Sequence, residues 1–252
     1  MNERAHKPNE AERSFVVMSL QRILIFLMFL FFHPLSAETP TGDIAEMRLA
    51  VRRELERHGG CGAAIAVVTK EKIEWAGGVG YADCEKKRPV TQFTVFQLAS
   101  VSKIFLGLTL ANLEQAGAVD FNALVNDLAP ELKINNPWHE THPLRLIHLL
   151  EHTSGLQEVV APWMELSKMQ FPSVAKLISQ VEPPTVQWPA GATVTYSNYN
   201  YIAAAHVLER LTGKPFSQVI SDTLFTPLGL KSIGYRLEKI DHSWLSKRYA
   251  GM

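Results

Sequence analysis

Apolar residues recur at helical spacing at Ile44, Met47, Val51 and Leu55, with Asp43 before them and Gly59-Gly60 after. That pattern is one face of an amphipathic helix with an N-cap and a glycine stop. Two apolar runs follow, Ala63 to Val68 and Ile73 to Val79, and a turn near Lys70-Glu71 makes them a hairpin. Phe93-Thr94-Val95-Phe96-Gln97-Leu98 reads as another strand. It leads into Ile104, Phe105, Leu108, Ala111 and Leu113, the pattern of a buried helix, which Ala116-Gly117 ends. Leu144 to His152 reads as a helix that buries Leu146, Leu149 and Leu150. Pro189 and Gly191 mark Thr185 to Thr195 as a loop. Asn198 to Leu211 is a helix with Ile202, Ala205, Val207 and Leu208 inward, stopped by Gly213 and Pro215; Phe216 to Phe225 is a shorter one. The predicted class is α+β: an antiparallel sheet with packed helices plus a mostly helical insert.

The segment before this pattern differs. Arg22 precedes the apolar run from Ile23 to Phe32, then Pro34-Leu35-Ser36-Ala37. A charged start, a short apolar stretch and small residues read as a signal peptide over 1–37, cleaved after Ala37, with Met18 as an alternative start. The run is short for a membrane span, so an uncleaved anchor is the alternative. Residues 38–252 then form one domain: 38–99 carry the helix and first strands, 100–235 the mostly helical region, and 236–252 the start of an incomplete return to the sheet. Export to the periplasm or the medium permits a disulfide. Cys61, at the start of the first strand, and Cys84, after the second, are brought near each other by the hairpin and are the candidate pair, although spacing alone does not fix the geometry.

Composition adds exclusions. Lys plus Arg and Asp plus Glu both number 25, so no basic excess favours a nucleic-acid surface. The 46% apolar content is that of a globular protein. There is no C-x-x-C redox motif.

The candidate chemistry begins at Ser100-Val101-Ser102-Lys103. One helical turn puts the Ser100 hydroxyl and the Lys103 amine on one face. A serine needs a base to become a nucleophile, and a neutral lysine can serve. A helix N-terminus and burial both disfavour the ammonium. The same S-x-x-K spacing recurs at Ser173-Val174-Ala175-Lys176, where Pro172 and the following apolar run make Ser173 an N-cap and Lys176 a solvated first-turn residue.

Further motifs accompany the first copy, in order: Gly80-Tyr81-Ala82-Asp83, Leu149-Leu150-Glu151-His152-Thr153-Ser154-Gly155-Leu156, Pro189-Ala190-Gly191, Tyr196-Ser197-Asn198 and Phe225-Thr226-Pro227-Leu228-Gly229-Leu230. From Asp43 to Gly251 the chain resembles the β-lactamase-related serine hydrolases, which include class C β-lactamases, DD-carboxypeptidases, D-aminopeptidases and some esterases. The resemblance implies a β-lactamase/transpeptidase-like fold and acyl-enzyme chemistry on amide, β-lactam or ester carbonyls. Ser100 would be the acylated nucleophile and Lys103 its base. Tyr196 would relay the proton and activate the deacylating water, and Asn198 would hold a substrate amide or carbonyl. No metal or organic cofactor is implied, and the partner is a small-molecule or peptide substrate. The family's third motif, Lys-Thr-Gly or His-x-Gly on a sheet-edge strand, has no counterpart after Tyr196. The expectation is a C-terminally truncated member whose last strands are missing, with a non-catalytic binding module as the alternative function.

A rival from another class rests on His148-Leu149-Leu150-Glu151-His152, which matches H-x-x-E-H. On one helix, His148 and His152 could hold zinc with Glu151 as base, and Glu182 or Glu209 as a third ligand.

Overall fold

The computed structural model describes residues 44–158, 173–179, 182–235 and 241–249. The expected signal peptide over 1–37 lies outside the described residues. The chain divides into two compact units, Met1–Gly60 and Cys61–Met252.

Within the first unit, α1 (Ile44–Arg57) is the expected helix. Its apolar positions Ile44, Met47, Val51 and Leu55 share one face, since they repeat every three or four residues. Gly59 at φ 65° ends it, and the Gly60 N–H closes back on the Leu55 carbonyl at 2.7 Å.

The second unit opens with β1 (Gly62–Val68) and β2 (Ile73–Asp83), an antiparallel hairpin in which Ala64 faces Gly78 and Ala66 faces Ala76. The two-residue β3 (Arg88–Pro89) pairs with the far end of β2. The hairpin brings Cys61 and Cys84 together, and they form a disulfide with Cα atoms 5.8 Å apart. The segment 241–249 runs beside this end of the sheet. The Lys247 N–H donates to the Ala82 carbonyl at 2.7 Å, and the Tyr249 hydroxyl accepts from the Cys84 N–H at 2.8 Å.

Phe93 to Leu98 is not a strand. Its only ladder contact among the described residues is a parallel bridge between Val95 and Leu245. Phe93 packs edge-on against Trp244, with ring centroids 5.2 Å apart.

The helical region is built around α6 (Asn198–Thr212). It packs against α2 (Lys103–Gln115), α3 (Val125–Leu128), α4 (Leu146–Leu150), α5 (Val174–Ile178) and α7 (Phe216–Ile220). Ala203, Ala204, Val207 and Leu208 are fully buried, and the small alanines let neighbouring helices approach closely. Gly213 at φ 67° ends α6 as its sequence predicts. Ser173 caps α5, its Oγ accepting from the Lys176 N–H at 3.2 Å, so the second S-x-x-K is a helix start.

On α2 the buried face is Leu106, Thr109 and Leu110, with Leu113 partly buried beside them. Ile104 and Leu108, expected inside, are exposed. Both sides of this helix are apolar, so the sequence pattern could not choose the inward one.

Candidate active site

Ser100 lies in a single 3₁₀ turn, Ala99–Ser102, rather than in the α-helix itself. The α-helix α2 begins at Lys103. The residue before Ser100, Ala99, sits at φ 47°, a left-handed conformation costing about 1–2 kcal/mol for a residue with a Cβ. The turn therefore presents Ser100 sharply at the start of α2. Tyr196 comes from the loop before α6, Ser197 precedes the helix, and Asn198 is its first residue. Because α2 and α6 pack together, their first turns meet.

The four residues singled out in the sequence meet at one point. The Ser100 Oγ is 2.8 Å from the Tyr196 hydroxyl. The Lys103 Nζ donates to Ser100 Oγ at 3.1 Å, to the Tyr196 hydroxyl at 2.5 Å and to Asn198 Oδ1 at 2.8 Å. Three oxygens thus surround Nζ, matching the three donors of an ammonium. Lys103 is half-buried, Ser100 is exposed and Tyr196 is 50% exposed. Lys103 is thus less shielded from water than the sequence reading expects. Burial pushes the Tyr196 phenol up, but hydrogen bonds with Lys103 and Ser100 and the Lys103 charge outweigh it, holding the phenol below the ordinary tyrosine value.

The sequence expectation has Asn198 offering its amide to a substrate. In the structure both ends of that amide are engaged: Oδ1 by Lys103, and Nδ2 by Glu158 Oε1 at 3.1 Å. Glu158 also accepts from the Asn198 backbone N–H at 2.6 Å. No sequence signal marked Glu158.

His152 has a different job from the zinc ligand considered above. The helix α4 ends at Leu150, and His152 turns into the left-handed region at φ 60°. His148 and His152 therefore do not share a helix face. His148 Nδ1 accepts from the Arg145 N–H at 3.2 Å at the start of α4, and Glu209 accepts from the Phe216 N–H at 3.0 Å. Among the described residues no group of three or more His, Cys, Asp or Glu side chains is placed to hold a metal ion. The His152 ring instead packs on Tyr196, with centroids 4.4 Å apart, and on Tyr201 at 5.3 Å. Its Nδ1 accepts from the Ser197 N–H at 3.2 Å and lies 3.1 Å from Asn200 Nδ2. Burial and the nearby Lys103 charge hold the imidazole below its ordinary value, which favours the neutral ring those bonds require.

The turn that carries His152 is tightly held. Gly155 sits at φ 71°, and a Cβ there would lie 2.0 Å from the Trp188 carbonyl oxygen. The Gly155 carbonyl accepts from the Gln187 N–H at 2.7 Å, and Ser154 Oγ donates to Asn200 Oδ1 at 2.7 Å. These bonds tie the turn to the loop before Tyr196 and to α6. A cavity of about 430 Å³ lined by Val125, Leu132, Ile134 and Leu144 lies elsewhere, and none of the four site residues lines it.

The profile of the Beta-lactamase family matches residues 47–252, most of the chain. The chain belongs to this family. A Beta-lactamase of Yersinia enterocolitica is 29% identical over 192 residues, which are 76% of this chain and 44% of that protein. A Teichoic acid D-alanine hydrolase of Staphylococcus aureus is 25% identical over 187 residues, 74% of this chain and 44% of that protein. The chain thus spans less than half the length of these relatives. Among solved structures, EstCE1, a hydrolase with promiscuous acyltransferase activity, superposes with a TM-score of 0.70 at 23% identity, over 82% of this chain and 57% of that one. That likeness establishes the β-lactamase/transpeptidase-like α+β fold.

Proposed function

We propose that this chain is a serine hydrolase that forms an acyl-enzyme on Ser100 with amide, ester or β-lactam carbonyls. The observation that carries this reading is the contact set of Ser100 Oγ, 2.8 Å from the Tyr196 hydroxyl and 3.1 Å from Lys103 Nζ. As Ser100 attacks a carbonyl, its proton passes to Tyr196. Lys103 stabilises the phenolate character that makes a phenol basic enough for this. Tyr196 then delivers that proton to the leaving group, the C–X bond breaks, and the acyl group stays on Ser100. In the second half Tyr196 takes a proton from water, hydroxide adds to the ester, and Ser100 leaves with the proton. Asn198, with its amide engaged, holds Lys103 in place. The Ser100 backbone N–H supplies one donor to the developing oxyanion.

Relatives named as a β-lactamase and a teichoic acid D-alanine hydrolase support a carbonyl substrate of small-molecule or peptide size. The Cys61–Cys84 disulfide and the apolar run from Ile23 to Phe32 support action outside the cytoplasm, in the periplasm or the medium.

Turnover of a nitrophenyl ester, a chromogenic cephalosporin and a D-alanyl anilide tests the reading. At least one should be hydrolysed by the folded protein and none by Ser100→Ala. Equal rates in the two proteins, or no turnover of any, would favour the non-catalytic binding module.

A further inference from the structure

Among the described residues, both oxygens of Glu158 bond to Asn198 and neither bonds to Ser100, Lys103 or Tyr196. Glu158 therefore hydrogen-bonds to the four site residues only through Asn198, while its charge also pushes the Tyr196 phenol and the His152 imidazole up. An amide side chain looks alike from both ends, so its neighbours decide which end points where. A carboxylate only accepts hydrogen bonds, and an ammonium only donates them. Asn198 lies between one of each. Its Nδ2 must face Glu158 Oε1, at 3.1 Å, and its Oδ1 must face Lys103 Nζ, at 2.8 Å. The backbone bond to Glu158 Oε2 at 2.6 Å anchors the carboxylate at the start of α6, so it cannot turn away without uncapping that helix.

We propose that Glu158 is a positioning residue for acyl transfer: its carboxylate sets the polarity of the Asn198 amide, and Asn198 Oδ1 in turn holds Lys103 between Ser100 and Tyr196. The assignment of a rate effect rests on the hydrolase reading above; the assignment of amide polarity does not.

Glu158→Gln separates the two bonds. The glutamine oxygen keeps the Asn198 backbone N–H, which cannot reverse. Its NH₂ group then confronts Asn198 Nδ2, donor against donor. Asn198 relieves this by turning its amide over, which points Nδ2 at the Lys103 ammonium and removes an acceptor from it. The loss is one hydrogen bond to a charged group, so acylation slows by about 10- to 100-fold. Adding Asn198→Asp to Glu158→Gln restores the pattern. The introduced glutamine would donate to one oxygen of the introduced aspartate and Lys103 to the other, with one carboxylate in the cluster as before. Asn198→Asp alone sets two carboxylates face to face and is impaired.

The experiment measures acylation rates of all four proteins with a neutral ester, their melting temperatures, and NOEs from the Asn198 side-chain NH₂. Expected are NH₂ cross-peaks to the side-chain CH₂ of Glu158 in the wild type and to that of Lys103 in Glu158→Gln, with the double variant at least tenfold faster than either single one. An unchanged amide orientation in Glu158→Gln would overturn the proposal, whatever the rates. So would a double variant no faster than the singles, the mark of a merely structural cap. A loss confined to KM for substrates bearing an ammonium, with kcat on the neutral ester intact, would make Glu158 a substrate contact and also overturn it. A reversed amide in a protein whose wild type never acylates would sustain the polarity assignment and sink the hydrolase reading.

Discussion

Tyr196→Phe removes one oxygen from the centre of the site. That oxygen is 2.8 Å from Ser100 Oγ, 2.5 Å from Lys103 Nζ and 3.3 Å from Asn198 Oδ1. The ring and its packing on His152, 4.4 Å between centroids, are retained. Because Tyr196 is 50% exposed, water can replace the lost hydroxyl, and the folded state should change by less than about 1 kcal/mol. Catalysis should respond differently. Without the phenol the Ser100 proton is left with Lys103 Nζ, 3.1 Å away, and no relay to the leaving group, and loss of a positioned acid–base costs about 10²–10⁴ in rate. At 1.36 kcal/mol per decade that is about 3–5 kcal/mol in the transition state. The pH profile should change as well. The wild-type acylation rate should rise with pH as Tyr196 ionises below the ordinary tyrosine value, and that limb should vanish in the variant. Stopped-flow acylation from pH 6 to 10 (buffers chosen to span the tyrosine range) and thermal melting at neutral pH supply both numbers. A variant that acylates as fast as the wild type, with the same limb, would refute the role of Tyr196 as base. A melting temperature that collapses with the rate would assign Tyr196 to structure instead.

Two predictions concern the scaffold. Replacing both Cys61 and Cys84 by Ala opens a loop closed over a sequence separation of 23, and denaturant unfolding should show a loss of about 3 kcal/mol; an unchanged midpoint, or two free thiols in the native protein, would contradict the bond. Gly155→Ala places a Cβ 2.0 Å from the Trp188 carbonyl oxygen at a φ of 71°, so it should lower the melting temperature steeply and displace His152 from Tyr196. Near-wild-type melting and acylation in that variant would show that the turn is less constrained than described.

Much of this architecture was readable because local chemistry and tertiary packing agree. Gly59 and Gly213 sit where their helices stop, at φ 65° and 67°, and Ser173 caps its helix through its own hydroxyl. The hairpin between Val68 and Ile73 was legible from two apolar runs and a polar gap. Reading failed where one pattern serves two structures. Apolar residues on both sides of α2 hid which face turns inward, and Leu106 and Leu110, not Ile104 and Leu108, meet the core. The apolar run from Phe93 to Leu98 looks like a strand, but among the described residues its one ladder bridge is at Val95. At the site, Ser100, Lys103, Tyr196 and Asn198 were found because their motifs carry the chemistry. The zinc rival fails because H-x-x-E-H assumes an unbroken helix, and α4 ends two residues before His152. Glu158 was invisible because it acts across a separation of 40 residues, through an amide whose polarity only three-dimensional neighbours define.

The central claim is that Ser100 is a live nucleophile and Ser173 a helix cap. Incubation with a fluorophosphonate, followed by proteolysis and mass analysis of the labelled peptide, tests it most directly. The expected result is one adduct per chain, on Ser100, abolished in Ser100→Ala and strongly slowed in Tyr196→Phe. A folded protein that takes up no label, or takes it up on Ser173, would contradict it.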